Sequence, residues 1–221
     1  MSPKNRISAK QRPKRGLQRQ VKILLGIGLA AILLFAGVAW VANRSTVPAA
    51  PDTLVREDSP KLGPDDAKVT IVEFLDPECE SCRAAFPMVK QILAENEGDV
   101  RLVVRYFPLH NNSILAARAT EAAGEQGKYW EMQELLFENQ TIWGEKQTPQ
   151  TEMFIVFADQ LGLDVDAFTE VLNSTKYTDK VQRDQRDGEA LGVSGTPTFF
   201  VNGQLISIDD LPNVVRDELG R

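Results

Sequence analysis

The two cysteines of this chain lie close together, in the stretch FLDPECESCR at positions 74–83. A Cys-x-x-C pair can be a structural disulfide, half of a metal site or a reactive dithiol. A structural zinc site needs about four ligands, and the chain adds only one histidine, His110, to the two thiols. A disulfide across so short a loop would stabilise the fold little. The spacing therefore favours a reactive Cys79–Cys82 dithiol, with no metal and no bound cofactor.

The reactivity of such a pair depends on a helix that begins at the first cysteine. Unsatisfied backbone N–H groups and the helix dipole stabilise a negative charge there, and this lowers the pKa of a thiol. We therefore expect Cys79 to be the nucleophile and Cys82 to resolve the mixed disulfide. Glu78 and Glu80 flank Cys79, and nearby carboxylates act in the opposite direction by raising the pKa of a thiol.

A buried strand leads into the cysteines, and a helix follows them. Lys68–Leu75 is dense in β-branched and apolar residues, which indicates a strand, and the proline two residues later ends it. Apolar residues recur at helical spacing from Cys79 onward, and Pro87 inside this helix predicts a kink. A second strand is expected at residues 101–107.

The remaining sequence predicts a block of helices, a hairpin and a last helix. The predicted helices cover residues 113–125, 128–138, 150–161, 165–172 and 178–191. Strands at 198–201 and 204–208 flank Asn202-Gly203, a strong signal for a two-residue hairpin turn, and a helix at 211–219 follows. The pattern indicates an α/β fold in which helices wrap a sheet, with a helical insertion at about residues 111–191.

A second motif, VSGTPT at positions 193–198, directly precedes the predicted strand. A cis X-Pro bond lies only about 0.5–1 kcal/mol above the trans form. A cis bond here would present the backbone of Thr196 beside the dithiol as an edge for a substrate chain. Taken in isolation, Pro197 is better interpreted as an ordinary turn proline before a strand.

The N-terminal region has the composition of a membrane anchor. Residues 1–22 contain eight Lys and Arg and no acid, whereas all 31 acidic residues lie from Asp52 onward. Residues 23–42 carry no charge and would, as a helix, span the roughly 30 Å hydrocarbon core of a bilayer. The positive-inside rule then places residues 1–22 in the cytoplasm and the chain from residue 43 outside the cell membrane.

Other interpretations of this region stay open. A basic run can bind nucleic acid, but directly before a spanning segment it is a topology signal, so no nucleic-acid partner is expected. A cleavable signal peptide is the alternative to a signal anchor, although its apolar part is ordinarily about 7–15 residues long. Residues 43–60 are rich in Pro, Ala, Ser and charge. They predict a linker with a short strand at Thr53–Arg56.

These motifs resemble the DsbA-like branch of the thioredoxin superfamily, in its membrane-anchored bacterial form. The resemblance covers residues 62–219 and is carried by VTIVEFLDPECESC, by FPLH at 107–110, by AARATEAAGEQGKYWEMQELLF at 116–137, by LGLD at 161–164 and by LGVSGTPTFFVNG at 191–203. It implies a thioredoxin fold with an inserted helical subdomain in residues 61–221, preceded by one N-terminal transmembrane helix.

The resemblance also implies roles for individual residues. It makes Cys79 the exposed nucleophile, Cys82 its buried partner, and Thr196-Pro197 the cis-proline loop that binds the substrate. Glu73 matches the buried acid that handles the proton of Cys82. A desolvated carboxylate has a raised pKa that suits this exchange, whereas a solvated glutamate at the strand edge is the alternative.

The sequence departs from the strongly oxidising members between the cysteines. Those members carry Pro-His there, where this chain has Glu80-Ser81, and Glu78 replaces an aromatic residue. We expect Glu78, Glu80 and Ser81 to tune the redox chemistry, because a higher pKa of Cys79 makes a weaker oxidant. His110 is expected either to lie near the active site or to have a capping or partly buried structural role.

Together the motifs predict an extracytoplasmic thiol–disulfide oxidoreductase that introduces or exchanges disulfides in cysteine-containing exported proteins. Oxidation of such clients would need a membrane partner, such as a quinone-linked thiol oxidase, to restore the disulfide. Segment 23–42 would hold the protein in the lipid bilayer. A disulfide reductase or isomerase is the alternative within this class. The alternative outside it is a thioredoxin-fold chaperone or adaptor that binds extended chains at the Pro197 loop.

Overall fold

The computed structural model describes residues 51–221, which form a five-stranded sheet and nine α-helices. The strands are β1 (Lys61–Leu62), β2 (Val69–Leu75), β3 (Val100–Tyr106), β4 (Thr198–Val201) and β5 (Gln204–Ile206). The helices are α1 (Pro51–Leu54), α2 (Glu80–Glu95), α3 (Ser113–Gly124), α4 (Tyr129–Glu138), α5 (Gln140–Trp143), α6 (Thr151–Gln160), α7 (Val165–Asn173), α8 (Thr178–Ala190) and α9 (Leu211–Glu218). A single 3-10 turn, Ile208–Asp210, precedes α9.

The strand order β1-β3-β2-β4-β5 places β2 at the centre of the sheet. β2 and β3 run parallel, with α2 between them in sequence, and every other pairing is antiparallel. Glu73 on β2 lies in register with Val104 on one side and Phe199 on the other. Because side chains alternate along a strand, Glu73 shares a face with Ile71 and Leu75.

Each face of the sheet is covered by helices. On the face of Ile71 and Leu75, the core includes Cys82 of α2 and Leu211 of α9. On the opposite face, Phe74 packs with Leu54 and Val193. Every residue of β2 except Thr70 is buried, as expected for a central strand covered on both sides.

The helices between β3 and β4 build a second core of their own. Trp143, Phe154 and Phe168 are fully buried in it, and the rings of Trp143 and Phe154 meet edge to face with centroids 5.0 Å apart. Aromatic pairs in this arrangement add to the hydrophobic stabilisation of a core. The insertion therefore has a stable scaffold from which its loops can reach the dithiol.

The element pattern predicted from the sequence is confirmed, with bounds that shift by one or two residues at most ends. The predicted strand at Thr53–Arg56 is wrong, because α1 ends at Leu54 and the chain then bends. Leu54 is only 3% exposed, since it packs against the sheet. The guanidinium of Arg105 also binds the carbonyl oxygens of Thr53 and Leu54, at 2.6 and 2.8 Å. These contacts favour a turn of helix over an edge strand.

The predicted basic segment 1–22, the membrane span 23–42 and residues 43–50 of the linker lie outside the described residues. Among residues 51–221, none of the helices combines the length and the apolar character that crossing a bilayer requires.

Candidate active site

The Cys79–Cys82 pair lies where the central strand passes into the first long helix. β2 ends at Leu75, and the backbone N–H of Cys79 donates to the carbonyl of Asp76 at 3.0 Å. Cys79 has extended backbone angles and is the N-cap of α2, and its carbonyl accepts the N–H of Arg83 at 3.1 Å. The predicted placement of the first cysteine at a helix N-terminus is therefore confirmed.

The two thiols are free, and their surroundings differ. Cys79 is 8% exposed, whereas Cys82 has no exposed surface. A hydrogen bond from the Cys82 thiol is the largest cause that lowers the pKa of Cys79, to about 5, with help from the Thr196 side chain and the backbone N–H groups of Cys82 and Ser81. Partial burial of Cys79 acts against this shift. For Cys82, burial first and the hydrogen bond to Cys79 second raise the pKa far above that of a free thiol.

Glu73 lies beneath this pair on β2. It is 4% exposed, and burial raises its pKa to about 8, with a smaller contribution from the negative charge of Cys79. The charge of Glu73 in turn contributes to the raised pKa of Cys82. Glu73 is thus buried, as expected from the apolar residues beside it. An acid with a pKa near neutrality can exchange a proton at physiological pH.

The Thr196-Pro197 peptide bond is cis, as the family resemblance implies, and not the ordinary turn proline that the motif alone favours. The Cys79 thiol donates to the carbonyl oxygen of Thr196 at 3.4 Å, although 117 positions separate the two residues. Thr196 and Pro197 are both partly exposed. The loop before β4 therefore lies against the nucleophilic thiol and is itself partly exposed.

Asp76 is fully buried and organises the loop in front of the dithiol. Its carboxylate accepts the backbone N–H groups of Glu78 and Leu109, each at 2.8 Å, and the hydroxyl of Ser113 at 2.8 Å. It also binds Nδ1 of His110 at 2.6 Å. Of the two expectations for His110, this places it near the active site, with a side chain that is 42% exposed.

The three residues expected to tune the redox chemistry have unlike surroundings. Glu78 is 2% exposed, and its carboxylate accepts the backbone N–H groups of Asn112 and Glu145. Glu80 and Ser81 are exposed on the first turn of α2. Tuning by these residues stays a prediction, and Glu78 has structural contacts that its position next to a cysteine did not suggest.

Sequence reasoning missed Gln140, which lies at the start of α5 and is 3% exposed. Its side-chain amide donates to the carbonyl oxygens of Pro77 and Cys79, at 2.9 and 3.0 Å. Arg83 donates through Nε to the amide oxygen of Gln140 at 3.1 Å. No local pattern marks Gln140, because its contacts join positions about 60 residues apart.

The arrangement is suited to thiol–disulfide exchange. The pKa of the Cys79 thiol is lowered and that of Cys82 is raised, and Glu73, which can exchange a proton near neutral pH, lies beneath both. Cys79 is more buried than the exposed nucleophile that the resemblance implies, because the Thr196 loop lies against its sulfur. Within residues 51–221, no group of three or more His, Cys, Asp or Glu side chains is placed to hold a metal ion.

Comparison with known proteins supports this chemistry. A family model described as thioredoxin matches residues 56–215. A thioredoxin-like oxidoreductase from Silicibacter pomeroyi DSS-3 is 28% identical and superposes with a TM-score of 0.65 over 78% of this chain and 99% of that one. The thiol-disulfide exchange protein alpha-DsbA2 from Wolbachia pipientis has the same fold, with 24% identity and a TM-score of 0.64 over 76% of this chain and 90% of that one.

Curated relatives that match by sequence are longer proteins. The Na(+)/H(+) antiporter NhaA of Herminiimonas arsenicoxydans is 34% identical over 195 residues, which are 86% of this chain and 30% of that protein. The present chain therefore spans about a third of the length of this relative. The antiporter name describes the whole of that longer relative. It is not applied to this chain, which matches only part of the relative and contains the dithiol site.

Proposed function

The chain belongs to the thioredoxin family and is a DsbA-like thiol–disulfide oxidoreductase, and we propose that it introduces or exchanges disulfides in exported proteins through Cys79 and Cys82. Oxidation of clients is the direction we favour. Disulfide reduction or isomerisation is the second candidate, and the carboxylates beside Cys79 are the observation that supports it.

The observation that carries the proposal is the opposite acid strength of the two thiols. The folded protein lowers the pKa of Cys79 to about 5 and raises that of Cys82. A thiol of low pKa is a good leaving group in exchange. A folded state that favours the Cys79 thiolate also favours the reduced dithiol, and a protein with a favoured dithiol form oxidises its clients.

The reaction begins with the Cys79–Cys82 disulfide. A client thiolate attacks the sulfur of Cys79, a mixed disulfide forms between client and Cys79, and Cys82 leaves as a thiolate. Cys82 then takes a proton, for which Glu73 is the adjacent donor. A second client thiolate attacks the client sulfur of the mixed disulfide and releases the Cys79 thiolate. Two electrons pass from the client to the dithiol.

The loop at Thr196-Pro197 is the proposed binding edge for the client. The Thr196 carbonyl lies within hydrogen-bonding distance of Cys79, and both residues of the loop are partly exposed. An extended client segment paired with this edge would bring its cysteine to Cys79. Main-chain pairing of this kind gives affinity with little dependence on client sequence.

The cellular setting belongs to the same proposal. The charge distribution supports a signal anchor at 23–42, with the catalytic domain extracytoplasmic. An oxidase must regain its disulfide after each turnover, so we propose a membrane partner that accepts two electrons, such as a quinone-linked thiol oxidase.

Equilibration with glutathione tests the direction of electron flow. We expect a reduction potential between the about −270 mV of thioredoxin and the about −120 mV of the strongest oxidants, because the Cys79 pKa of about 5 lies between the about 7 and about 3.5 of those proteins. Oxidation of a reduced two-cysteine client by the disulfide form should be fast and stoichiometric. A potential near the lower value would support the reductase instead.

A double variant separates enzyme from chaperone. Cys79→Ser with Cys82→Ser should lose disulfide transfer completely and keep its fold. If the double variant still supported folding of exported disulfide proteins in cells, the protein would be a chaperone or adaptor that binds extended chains.

A further inference from the structure

The loop that precedes the nucleophile is bound to the helical insertion through a buried carboxylate. Loop 76–79 denotes the segment Asp76–Cys79. Glu78 in this loop accepts the N–H of Asn112 at 2.6 Å and the N–H of Glu145 at 2.9 Å, one on each carboxylate oxygen. Asn112 precedes α3, and Glu145 lies two residues after the end of α5. One side chain therefore joins the loop to two separate parts of the insertion.

A second buried side chain makes the reverse connection. Gln140 belongs to the insertion, and its amide donates to the carbonyl oxygens of Pro77 and Cys79 in loop 76–79. The bond from Arg83 to the amide oxygen fixes which end of the amide faces those carbonyls. Both side chains are almost fully buried, at 2% and 3% exposure. Buried hydrogen bonds are costly to leave unmade, so the two contacts restrain the loop strongly.

We propose that Glu78 and Gln140 are positioning residues, through which the helical insertion holds Cys79 at the N-terminus of α2 and against the Thr196 loop. The proposal rests on the proposed function, since it assigns the insertion a part in the same thiol chemistry. It also gives Glu78 a different role from Glu80. The Glu78 carboxylate is bound by two N–H donors, whereas that of Glu80 is exposed.

The sulfur of Cys79 depends on this placement because its stabilising donors are local and directional. The groups on the first turn of α2 that lower the pKa of Cys79 are the Cys82 thiol and the N–H groups of Cys82 and Ser81. The carbonyl held by Gln140 belongs to Cys79 itself. If that peptide group rotates, the Cys79 side chain moves away from the donors, and hydrogen bonds weaken steeply with angle.

Two charge-neutralising variants distinguish positioning from charge. Glu78→Gln removes a negative charge and replaces one acceptor oxygen by an NH₂ group that cannot accept the N–H of its partner. Glu80→Gln removes a charge at the same sequence distance from Cys79 and breaks no buried contact. The readout is the pKa of Cys79, from thiolate absorbance of the reduced protein, together with the melting temperature.

The two variants are expected to change the pKa of Cys79 differently. Glu78→Gln should raise the pKa of Cys79 by about one unit, which lowers the ratio of thiolate to thiol about tenfold at a given pH. Glu80→Gln should leave it unchanged or lower it slightly. If both variants lowered the pKa alike, Glu78 would act through its charge, and the proposal would be wrong. A Glu78→Gln protein with a reduced melting temperature and an unchanged pKa would show a purely structural contact and also overturn it.

Gln140→Met provides a second test if Glu78→Gln does not fold. It changes no charge and keeps the side-chain length, but it removes both donors to loop 76–79. The pKa of Cys79 should again rise, and an unchanged value would contradict the proposal. Failure of the proposed function is a separate result: the wild-type protein would then transfer no disulfides, whatever the thiol titrations of the variants show.

Discussion

At the scale of single residues, Cys79 and Cys82 have the same side chain and opposite acid strengths. Cys79 borders solvent at a helix N-terminus, whereas Cys82 is one turn further along and has no exposed surface. Burial raises the pKa of Cys82, and the hydrogen bond from its thiol to Cys79 both stabilises a Cys79 thiolate and keeps Cys82 protonated. Placement on one helical turn, rather than residue type, therefore divides the two roles in exchange.

Glu73 gives a prediction with a defined pH dependence. Its folded pKa of about 8 lies above its ordinary value of 4.5, so the folded state binds a proton that the unfolded state releases between these values. This contribution to stability is complete below about pH 4.5 and is lost as pH rises through about 8. Glu73→Gln should therefore match the wild type near pH 4.5 and be more stable near pH 9, by about 4–5 kcal/mol.

Urea unfolding of the reduced protein at several pH values measures this difference. Glu80→Gln, which changes an exposed carboxylate on the first turn of α2, is the control and should leave the pH profile unchanged. Glu73→Gln should also slow the steps that protonate or deprotonate Cys82, so that mixed disulfides accumulate. Equal pH profiles for wild type and Glu73→Gln would contradict the assigned burial effect.

Local sequence patterns predict the part of the candidate site whose residues are neighbours in the sequence. A Cys-x-x-C between a buried strand and a helix placed Cys79 correctly, and family resemblance added Glu73 and the Thr196 loop. Gln140 was missed because only the folded chain brings it to the Cys79 carbonyl. Glu78 was assigned to electrostatics for a similar reason: its neighbours in sequence are cysteines and acids, while its partners Asn112 and Glu145 are distant.

At the scale of elements, strand alternation and helical spacing predicted almost every segment between residues 61 and 221. The segments that escaped are short, namely β1, α5 and the 3-10 turn before α9. Two to four residues are too few to show a period. α1 was mistaken for a strand because its helical turn depends on tertiary contacts of Leu54 and on Arg105, which a local pattern does not include.

The contact between α8 and the sheet depends on a glycine. A Cβ at Gly188 would lie 2.8 Å from a ring carbon of Phe107 and 3.0 Å from the ring of Phe74. Overpacking costs about 1–3 kcal/mol, which outweighs the roughly 1 kcal/mol that alanine adds to helix propensity. We expect Gly188→Ala to lower the free energy of unfolding by about 1 kcal/mol, measured by chemical denaturation.

Gly124→Ala is the matched control for this substitution. It also lies in a helix, but its Cβ would be 3.4 Å from the nearest atom of Tyr129, which leaves room for a small adjustment. This variant should be neutral or slightly more stable than the wild type. If Gly188→Ala were equally well tolerated, the rings of Phe74 and Phe107 would have to move apart at little cost.

At the scale of the whole molecule, the described N-terminal stretch is bound to the catalytic domain by one buried arginine. Arg105 has no exposed surface and pairs with Asp184 at 2.9 Å and with Asp187. It also binds the carbonyl oxygens of Thr53 and Leu54. The guanidinium of Arg105 therefore binds both the stretch before β1 and the acidic residues of α8.

Arg105→Met should be strongly destabilising, because it removes the nearer partner of the buried Asp184 carboxylate and leaves only Arg183, at 3.6 Å. Loss of one member of a buried ion pair costs about 3–5 kcal/mol, which urea unfolding would show. The stretch before β1 should also become accessible, so that trypsin cleaves faster after Arg56, whose side chain is bound by Asp187 at 2.8 Å in the folded protein.

Arg101→Met is the control on the same strand. Arg101, which also donates to the hydroxyl of Thr70 at 3.1 Å, pairs with Asp65, whose side chain is 90% exposed. A pair with one partner in solvent contributes about 1 kcal/mol or less. Its loss should change stability little and leave cleavage after Arg56 unaffected. Similar effects of the two substitutions would mean that the buried network has no special part in holding the N-terminal stretch.

The whole chain contains one histidine, and it lies beside the dithiol. Partial burial works to lower the pKa of His110, but the Asp76 contact and the charge of Cys79 raise it. Formation of the disulfide removes that charge, so the pKa of His110 should be lower in the oxidised protein. Its imidazole protons give a single set of resonances, and their chemical shifts near pH 7 should report the redox state directly. Identical titration curves for the two forms would exclude this use. With a shift present, electron transfer to and from clients could be followed without any label.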